Sequence, residues 1–287
     1  MFKDPLLKTL VIGCAWLLSA CHSPVHPLSP AGEHALVEKA NIRDTASGRT
    51  LTPQQLLNQL AQAPLVIVGE EHTNAQHHQI ERWLLQNLHT LRPQGSVLME
   101  MIDLSQQEAV NRVKRASLSG TTVSATRAAE TLRWNPGWPW ALYRDVVMTA
   151  LQAPYPLLAA NLSRQQVSDI YQHPTFPRGT LSNSPQVHES LSAIIYLMHN
   201  GKIDGEQVTS MLAIQQQRDR LMATQMQAAP RPALLIAGGY HAAKDIGVPL
   251  HLADLNAEKP LVLLLTTDGT TPTAKQADYI WSVAAEK

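Results

Sequence analysis

Apolar runs of four to five residues recur along the chain, separated by longer stretches in which apolar and polar positions alternate with helical spacing. Leu65-Val66-Ile67-Val68, Ser96-Val97-Leu98-Met99, the run 155–159, Ala233-Leu234-Leu235-Ile236-Ala237 and Leu261-Val262-Leu263-Leu264-Leu265 are the clearest. Such continuous runs fit strands buried on both faces of a parallel sheet. They predict strands at 65–69, 97–101, 155–159 and 233–237, and a last strand at 261–265. Between them the apolar residues follow a helical period. Ile80, Trp83, Leu84 and Leu88 line one face of a helix over 74–90. Further helices are expected over 105–117, 124–132 and 140–151. Thr52 followed by Pro53 marks the start of a helix reaching residue 61, and 42–49 reads as a strand end and turn. Residues 163–229 contain no strand pattern and include a long helix over 206–226. The pattern predicts an α/β domain, a mainly parallel sheet flanked by helices, with a smaller helical cap subdomain at about 163–229.

The amino-terminal pattern is different. Basic residues at Lys3 and Lys8, an apolar stretch over 10–18 and Leu18-Ser19-Ala20-Cys21 describe an export signal too short to span a membrane. Cys at the cut site resembles a bacterial lipobox. The expected organisation is therefore a lipoprotein signal over 1–20, lipidation at Cys21, a flexible tether over 21–35 and a folded domain over 36–287. His22 in place of an acidic residue favours the outer membrane. Cys14 falls in the signal, so Cys21 is the one cysteine expected in the mature chain, which then stabilises itself without a disulfide.

Composition adds two constraints. The 23 basic and 23 acidic residues balance, which leaves no electrostatic footprint for nucleic acid. Twelve histidines stand against only 16% charged residues, so histidine chemistry is the feature to follow.

Two of the predicted strands end in Gly-x-x-His: Gly69-Glu70-Glu71-His72 and Gly238-Gly239-Tyr240-His241. Groups just beyond the carboxyl ends of parallel strands occupy the usual ligand-binding edge. Gly69 is expected to let the chain turn sharply as it leaves the sheet. Thr73 or Asn74 is expected to cap the next helix, with His77 and His78 in its first turn. Glu100 ends another apolar strand, where an unpaired carboxylate would be costly. It either pairs with a base such as Arg144 or Arg218, or serves in metal binding or proton transfer. Gly238-Gly239 permits close backbone approach before Tyr240 and His241.

Taken together these stretches resemble the ChaN family of haem-binding, iron-regulated lipoproteins. The match is carried by Gly69-Glu70-Glu71-His72-Thr73-Asn74 with His77-His78, by Met99-Glu100-Met101, and by Trp134 with Trp138-Pro139-Trp140. It continues through Ala159-Ala160-Asn161-Leu162-Ser163-Arg164, Gln217-Arg218-Asp219 with Met222-Ala223, and Ala237-Gly238-Gly239-Tyr240-His241 with Gly247-Val248-Pro249. The elements run in order from about residue 40 to 266. The resemblance implies a homodimer holding haem at its interface, with a tyrosine on iron and a histidine and lysine assisting the propionates. It also implies a role in haem or iron acquisition, with an outer-membrane haem receptor as a further partner.

Tyr196, His199 and Lys202 are the haem candidates, spaced three apart at the end of a helix. Tyrosine is a known haem ligand. Asn200-Gly201 reads equally as an ordinary helix terminus, and Tyr143, Tyr171 and Tyr240 are competing ligands. No Cys-x-x-Cys-His is present for covalent haem attachment. The wider Tiki superfamily, to which the paired Gly-x-x-His pattern is similar, includes metal-dependent hydrolases. On that second reading Glu71, His72, Glu100 and His241 hold a divalent metal and Glu70 acts as general base. The family resemblance favours the carrier over the enzyme.

Overall fold

The computed structural model describes residues 30–285; Cys21, the signal and most of the tether lie outside them. After a first helix, α1 (Pro30–Glu38), β1 (Asn41–Asp44) and β2 (Thr50–Leu51) form a hairpin. The side chain of Asp44 ties the turn by accepting from the backbone N–H groups of Ala46 and Ser47, both at 3.0 Å. α2 (Pro53–Leu60) starts with a complete capping box: Thr52 accepts from Gln55 N–H, and the Gln55 side chain accepts from Thr52 N–H.

The alternating core follows in chain order: β3 (Leu65–Glu70), α3 (Ala75–Leu91), β4 (Ser96–Asp103), α4 (Gln107–Leu118), α5 (Ala125–Leu132), α6 (Trp140–Gln152) and β5 (Leu157–Asn161). Three helices without an intervening strand come next: α7 (Arg164–Gln172), α8 (Pro185–Met198) and α9 (Gly205–Ala228). The chain then returns through β6 (Ala233–Gly238), the short α10 (Gly239–Ala242), α11 (Val248–Asp254), β7 (Leu261–Thr267) and β8 (Tyr279–Val283).

Among the described residues, eight strands join one sheet in the order β2-β1-β8-β7-β3-β6-β4-β5. The pairings from β8 through to β5 are parallel, and only the β1 pairings are antiparallel. The expected α/β architecture is thus present. The strand expected to be last is not: β8 continues past β7, with Trp281 fully buried and edge-on to Trp83 at 5.4 Å between ring centroids. Its short run, Tyr-Ile-Trp-Ser-Val, has no long apolar stretch to announce it. Its place is decided by pairing on both sides, with β7 and β1.

Side-chain alternation assigns each strand residue to a face. Val66 and Val68 of β3, Val97, Met99 and Met101 of β4, and Leu234 and Ile236 of β6 join the core that includes Leu84, Tyr143 and Val147 from α3 and α6. Leu65, Ile67, Leu98, Leu235 and Ala237 face Met222, Ala223 and Met226 of α9 and Val248 and Leu252 of α11. Full burial of each large aliphatic side chain contributes roughly 1.5–3 kcal/mol. A third, smaller cluster joins Val187, Leu191 and Ile195 of α8 to Leu212 of α9 and to Ala243 and Ile246. Helix α9, 24 residues long, therefore packs its first half under α8 and its second half on the sheet.

Candidate functional site

β3 and β6 are neighbours at the centre of the sheet, in a register that pairs Glu70 with Gly238. This brings the two Gly-x-x-His ends side by side. Gly69 does not make the turn expected of it, because β3 continues through Glu70. Its missing side chain instead admits Leu264 and Ala242: an added Cβ would lie 2.5 and 2.6 Å from them. At Gly238 an added Cβ would lie 2.7 Å from His72 Nε2, so a glycine there lets the imidazole rest on the neighbouring strand. Asn74 caps α3 by accepting from Gln76 and His77 N–H.

Two polar clusters occupy this edge, one on each face. On the α3/α6 face, Glu70 is buried at the strand end. Its Oε1 accepts from the Tyr143 hydroxyl at 2.6 Å and pairs with His72 Nδ1 at 2.7 Å. His78 Nε2 lies 2.8 Å from Glu70 Oε2. Burial alone would raise the Glu70 carboxyl, but the imidazoles of His78 and His72 hold it well below the usual range. Burial, and then the Glu70 charge, push the Tyr143 phenol far above its ordinary value. Glu81, one turn beyond His78 on the same helix face, is fully buried beside them. Trp138 stands edge-on over His72 at 4.7 Å between centroids.

His77 is separate. Its Nδ1 accepts from Glu71 N–H at 2.9 Å, and burial depresses its pKa to about 4.

On the α9 face, Glu100 Oε2 accepts from Gly238 N–H at 2.8 Å, and its Oε1 lies 3.3 Å from His241 Nε2. The other nitrogen of His241 meets Asp219 Oδ1 at 2.5 Å. Burial opposes a charge on this imidazole, but Glu100 and Asp219 outweigh it and raise its pKa to about 10. Glu100 is correspondingly held well below the usual carboxylate range despite its burial. Asp219 moves the other way, to about 6, because burial there exceeds the help from His241. Glu100 and His241 both shift toward their charged forms, and His241 lies between the two carboxylates, at 3.3 Å from Glu100 and 2.5 Å from Asp219, which fits an imidazolium. The guanidinium of Arg218 adds positive charge near Glu100 and Asp219.

His72 links the two clusters. With about a third of its side chain exposed, it reaches solvent where Glu70, His78, Glu100, Asp219 and His241 do not.

The structure gathers Glu70, His72 and His78 into one group, and Glu100, Arg218, Asp219 and His241 into another. It does not bring Glu71 to either. The Glu71 carboxylate turns to Thr267, accepting from its N–H at 3.1 Å and its hydroxyl at 2.9 Å. The set Glu71, His72, Glu100 and His241 therefore does not converge, and both ring nitrogens of His241 are already engaged by carboxylates. The partner of Glu100 is His241, with Arg218 nearby; Arg144 pairs with Asp145. Sequence reading missed Glu81 as a member, and treated Tyr143 only as a haem candidate. The signal for Glu81 was its spacing, three residues after His78 and between the buried Ile80 and Leu84.

Tyr196, His199 and Lys202 lie away from these groups, at the end of α8. Asn200 and Gly201 adopt left-handed conformations, and Gly201 N–H closes on Tyr196 carbonyl at 2.9 Å, so the segment is a helix terminus. His199 Nδ1 meets Ile195 carbonyl at 2.8 Å. Tyr196, Leu197 and Met198 are 46%, 71% and 53% exposed, a run of large apolar side chains facing outward. Tyr143 is buried and committed to Glu70, which removes it from the competing tyrosines; Tyr171 and Tyr240 remain accessible.

Residues 56–252 match the family model described as haem-binding uptake, Tiki superfamily, ChaN. Among solved structures, one showing cofacial haem binding to ChaN of Campylobacter jejuni superimposes with a TM-score of 0.78 at 26% identity, covering 84% of this chain and 96% of that one. The type III effector HopBA1 (TM-score 0.45, 13% identity, 81% and 92% coverage) and an erythromycin esterase EreC mutant in its open conformation (0.45, 13%, 79% and 78%) are more distant. At those scores they carry no argument about this chain. No match is found among curated proteins.

Proposed function

The chain belongs to the ChaN family of haem-binding uptake proteins in the Tiki superfamily, and we propose that it is a membrane-anchored lipoprotein that binds haem as cargo at a homodimer interface and serves haem or iron acquisition. The observation that carries the reading within this chain is the outward-facing Tyr196-Leu197-Met198 run at the end of α8. Exposed large apolar side chains in sequence mark a surface that covers something. The donor set fits haem: a phenol for ferric iron, apolar side chains for the porphyrin face, and Lys202 with His199 within one turn for the propionates. The cofacial arrangement described for the Campylobacter jejuni protein fits two copies meeting across such a surface. Lipidation at Cys21, outer-membrane attachment and delivery of haem to an outer-membrane receptor complete the proposal.

Titration of the haem-free protein with haemin tests the central claim. A saturable Soret band of phenolate-bound ferric haem is expected, weakened or shifted in Tyr196→Phe. Failure of the wild type to bind rejects the function. An unchanged spectrum in Tyr196→Phe rejects only this tyrosine and moves the ligand to Tyr240 or Tyr171. For the anchor, Cys21→Ser should release the protein from the membrane fraction. An unlipidated wild-type amino-terminal peptide by mass spectrometry would remove the lipoprotein assignment.

A further inference from the structure

The geometry points to a buried divalent-metal site formed by Glu70, His78 and Glu81, on the face of the sheet covered by α3 and α6. One ligand atom from each residue lies within 4.8 Å of the others, and all three residues are buried. Glu70 Oε2 and His78 Nε2 are only 2.8 Å apart, close enough for an ion pair, yet neither atom meets the geometry of a hydrogen bond. Both carboxylate oxygens of Glu81 and His78 Nδ1 are likewise buried without one.

That combination is informative. Two groups joined by a hydrogen bond point at each other and satisfy each other. Two ligands of a common ion come equally close while pointing at a third position. Metal bonds of about 2.1 Å meeting near a right angle place their ligand atoms about 3 Å apart. Buried polar groups left unsatisfied are rare enough to need such an explanation.

The surroundings fit an ion. The other oxygen of Glu70 is held by Tyr143 and His72, at 2.6 and 2.7 Å, which is how outer groups orient a ligating carboxylate. His78 is braced against the Tyr143 ring, with centroids 4.3 Å apart. His78 and Glu81 sit three apart on α3, and the strand end supplies the third ligand. A narrow crevice lined by Ala75, Gln79, Arg82, Leu142, Asp145 and Val146 reaches His78. Two carboxylates with a neutral imidazole balance a charge of about +2. One nitrogen and two oxygen donors suit zinc, manganese or ferrous iron, whereas calcium prefers more oxygens. The alternative occupant is a proton: burial and the Glu70 charge push the Glu81 carboxyl well upward, and a neutral Glu81 would donate to Glu70.

This site is independent of haem, and it uses a different set from Glu71, His72, Glu100 and His241. The test strips the haem-free full chain with a chelator, reloads it with Zn²⁺ or Mn²⁺ alone and removes excess ion by desalting. One retained ion per chain by mass spectrometry is expected after desalting, and a parallel sample kept at a free-ion concentration 100-fold above Kd should show a rise in Tm of about 5 °C or more. Glu81→Gln should lose both effects, while Glu71→Gln, whose carboxylate faces Thr267, should keep them. X-ray absorption of the zinc-loaded wild type should show one imidazole in an otherwise oxygen shell, and this decides the matter if Glu81→Gln does not fold. No retained ion and no Tm change in the wild type, an unchanged ion content in folded Glu81→Gln, or a shell with two or more imidazoles would each overturn the site.

Discussion

The sheet edge and the end of α8 show opposite ways in which a protein carries functional side chains. At the edge, Glu70 and His241 are each held from several directions. Glu70 meets Tyr143, His72 and His78, and His241 is gripped between Glu100 and Asp219. At the end of α8, Tyr196, Leu197 and Met198 face outward, and the helix terminates normally beneath them. The first region is expensive to alter because its charges are buried; the second is cheap to alter because water already reaches it. A buried cluster therefore reports on stability and on what compensates its charge, whereas an exposed apolar run reports on what covers it.

The largest effect that would break this contrast is at His241. His241→Ala leaves the Glu100 and Asp219 carboxylates buried without their shared cation, and should cost about 3–5 kcal/mol, read as a lower denaturant midpoint at neutral pH. The pH profile gives the same prediction a sign. A folded pKa of about 10, above the ordinary 6.5, means that protonated His241 contributes its full stability below pH 6.5. That contribution is lost as pH rises from 6.5 toward 10. Wild type should lose stability across this window and His241→Ala should not. Parallel profiles for the two proteins would mean that His241 is not gripped as an imidazolium.

The smallest stability effect belongs to the other region. Leu197→Glu should shift unfolding by no more than about 0.5 kcal/mol, since the side chain is mostly exposed. The same substitution should dissociate a haem-loaded dimer in sedimentation velocity, by placing charges in its interface. A dimer indifferent to Leu197→Glu would place the haem surface elsewhere, and a large loss of stability would show that this run is not the free surface described.

Much of the fold was legible because the strands are buried on both faces and so appear as uninterrupted apolar runs. β3, β4, β6 and β7 all lie where those runs lie. β8 was not legible, because its burial comes from partners over 200 residues away in β1 as well as from β7. The Gly-x-x-His pairs were visible as a repeated pattern, but the role of Gly69 was misread. Local chemistry suggests a turn, and only the approach of Leu264 and Ala242 reveals why a side chain cannot be there. Glu81 was readable in principle from its spacing to His78. The partnership of Tyr143 with Glu70 was not, since 73 positions separate them.

The sequence by itself determined where the strands buried on both faces and the helices between them lie, that two histidines and several carboxylates lie at strand ends, and which family the chain resembles. Those are properties of local periodicity and short motifs, and they survive without knowledge of neighbours. Only the tertiary structure decided that β3 and β6 lie side by side, that Glu70 and Glu100 face opposite sides of the sheet, and that Glu71 leaves the site for Thr267. The physical reason is that register and strand order choose the partners of a buried charge. A carboxylate's position in the chain says that it must be compensated, and the packing of distant helices says by what.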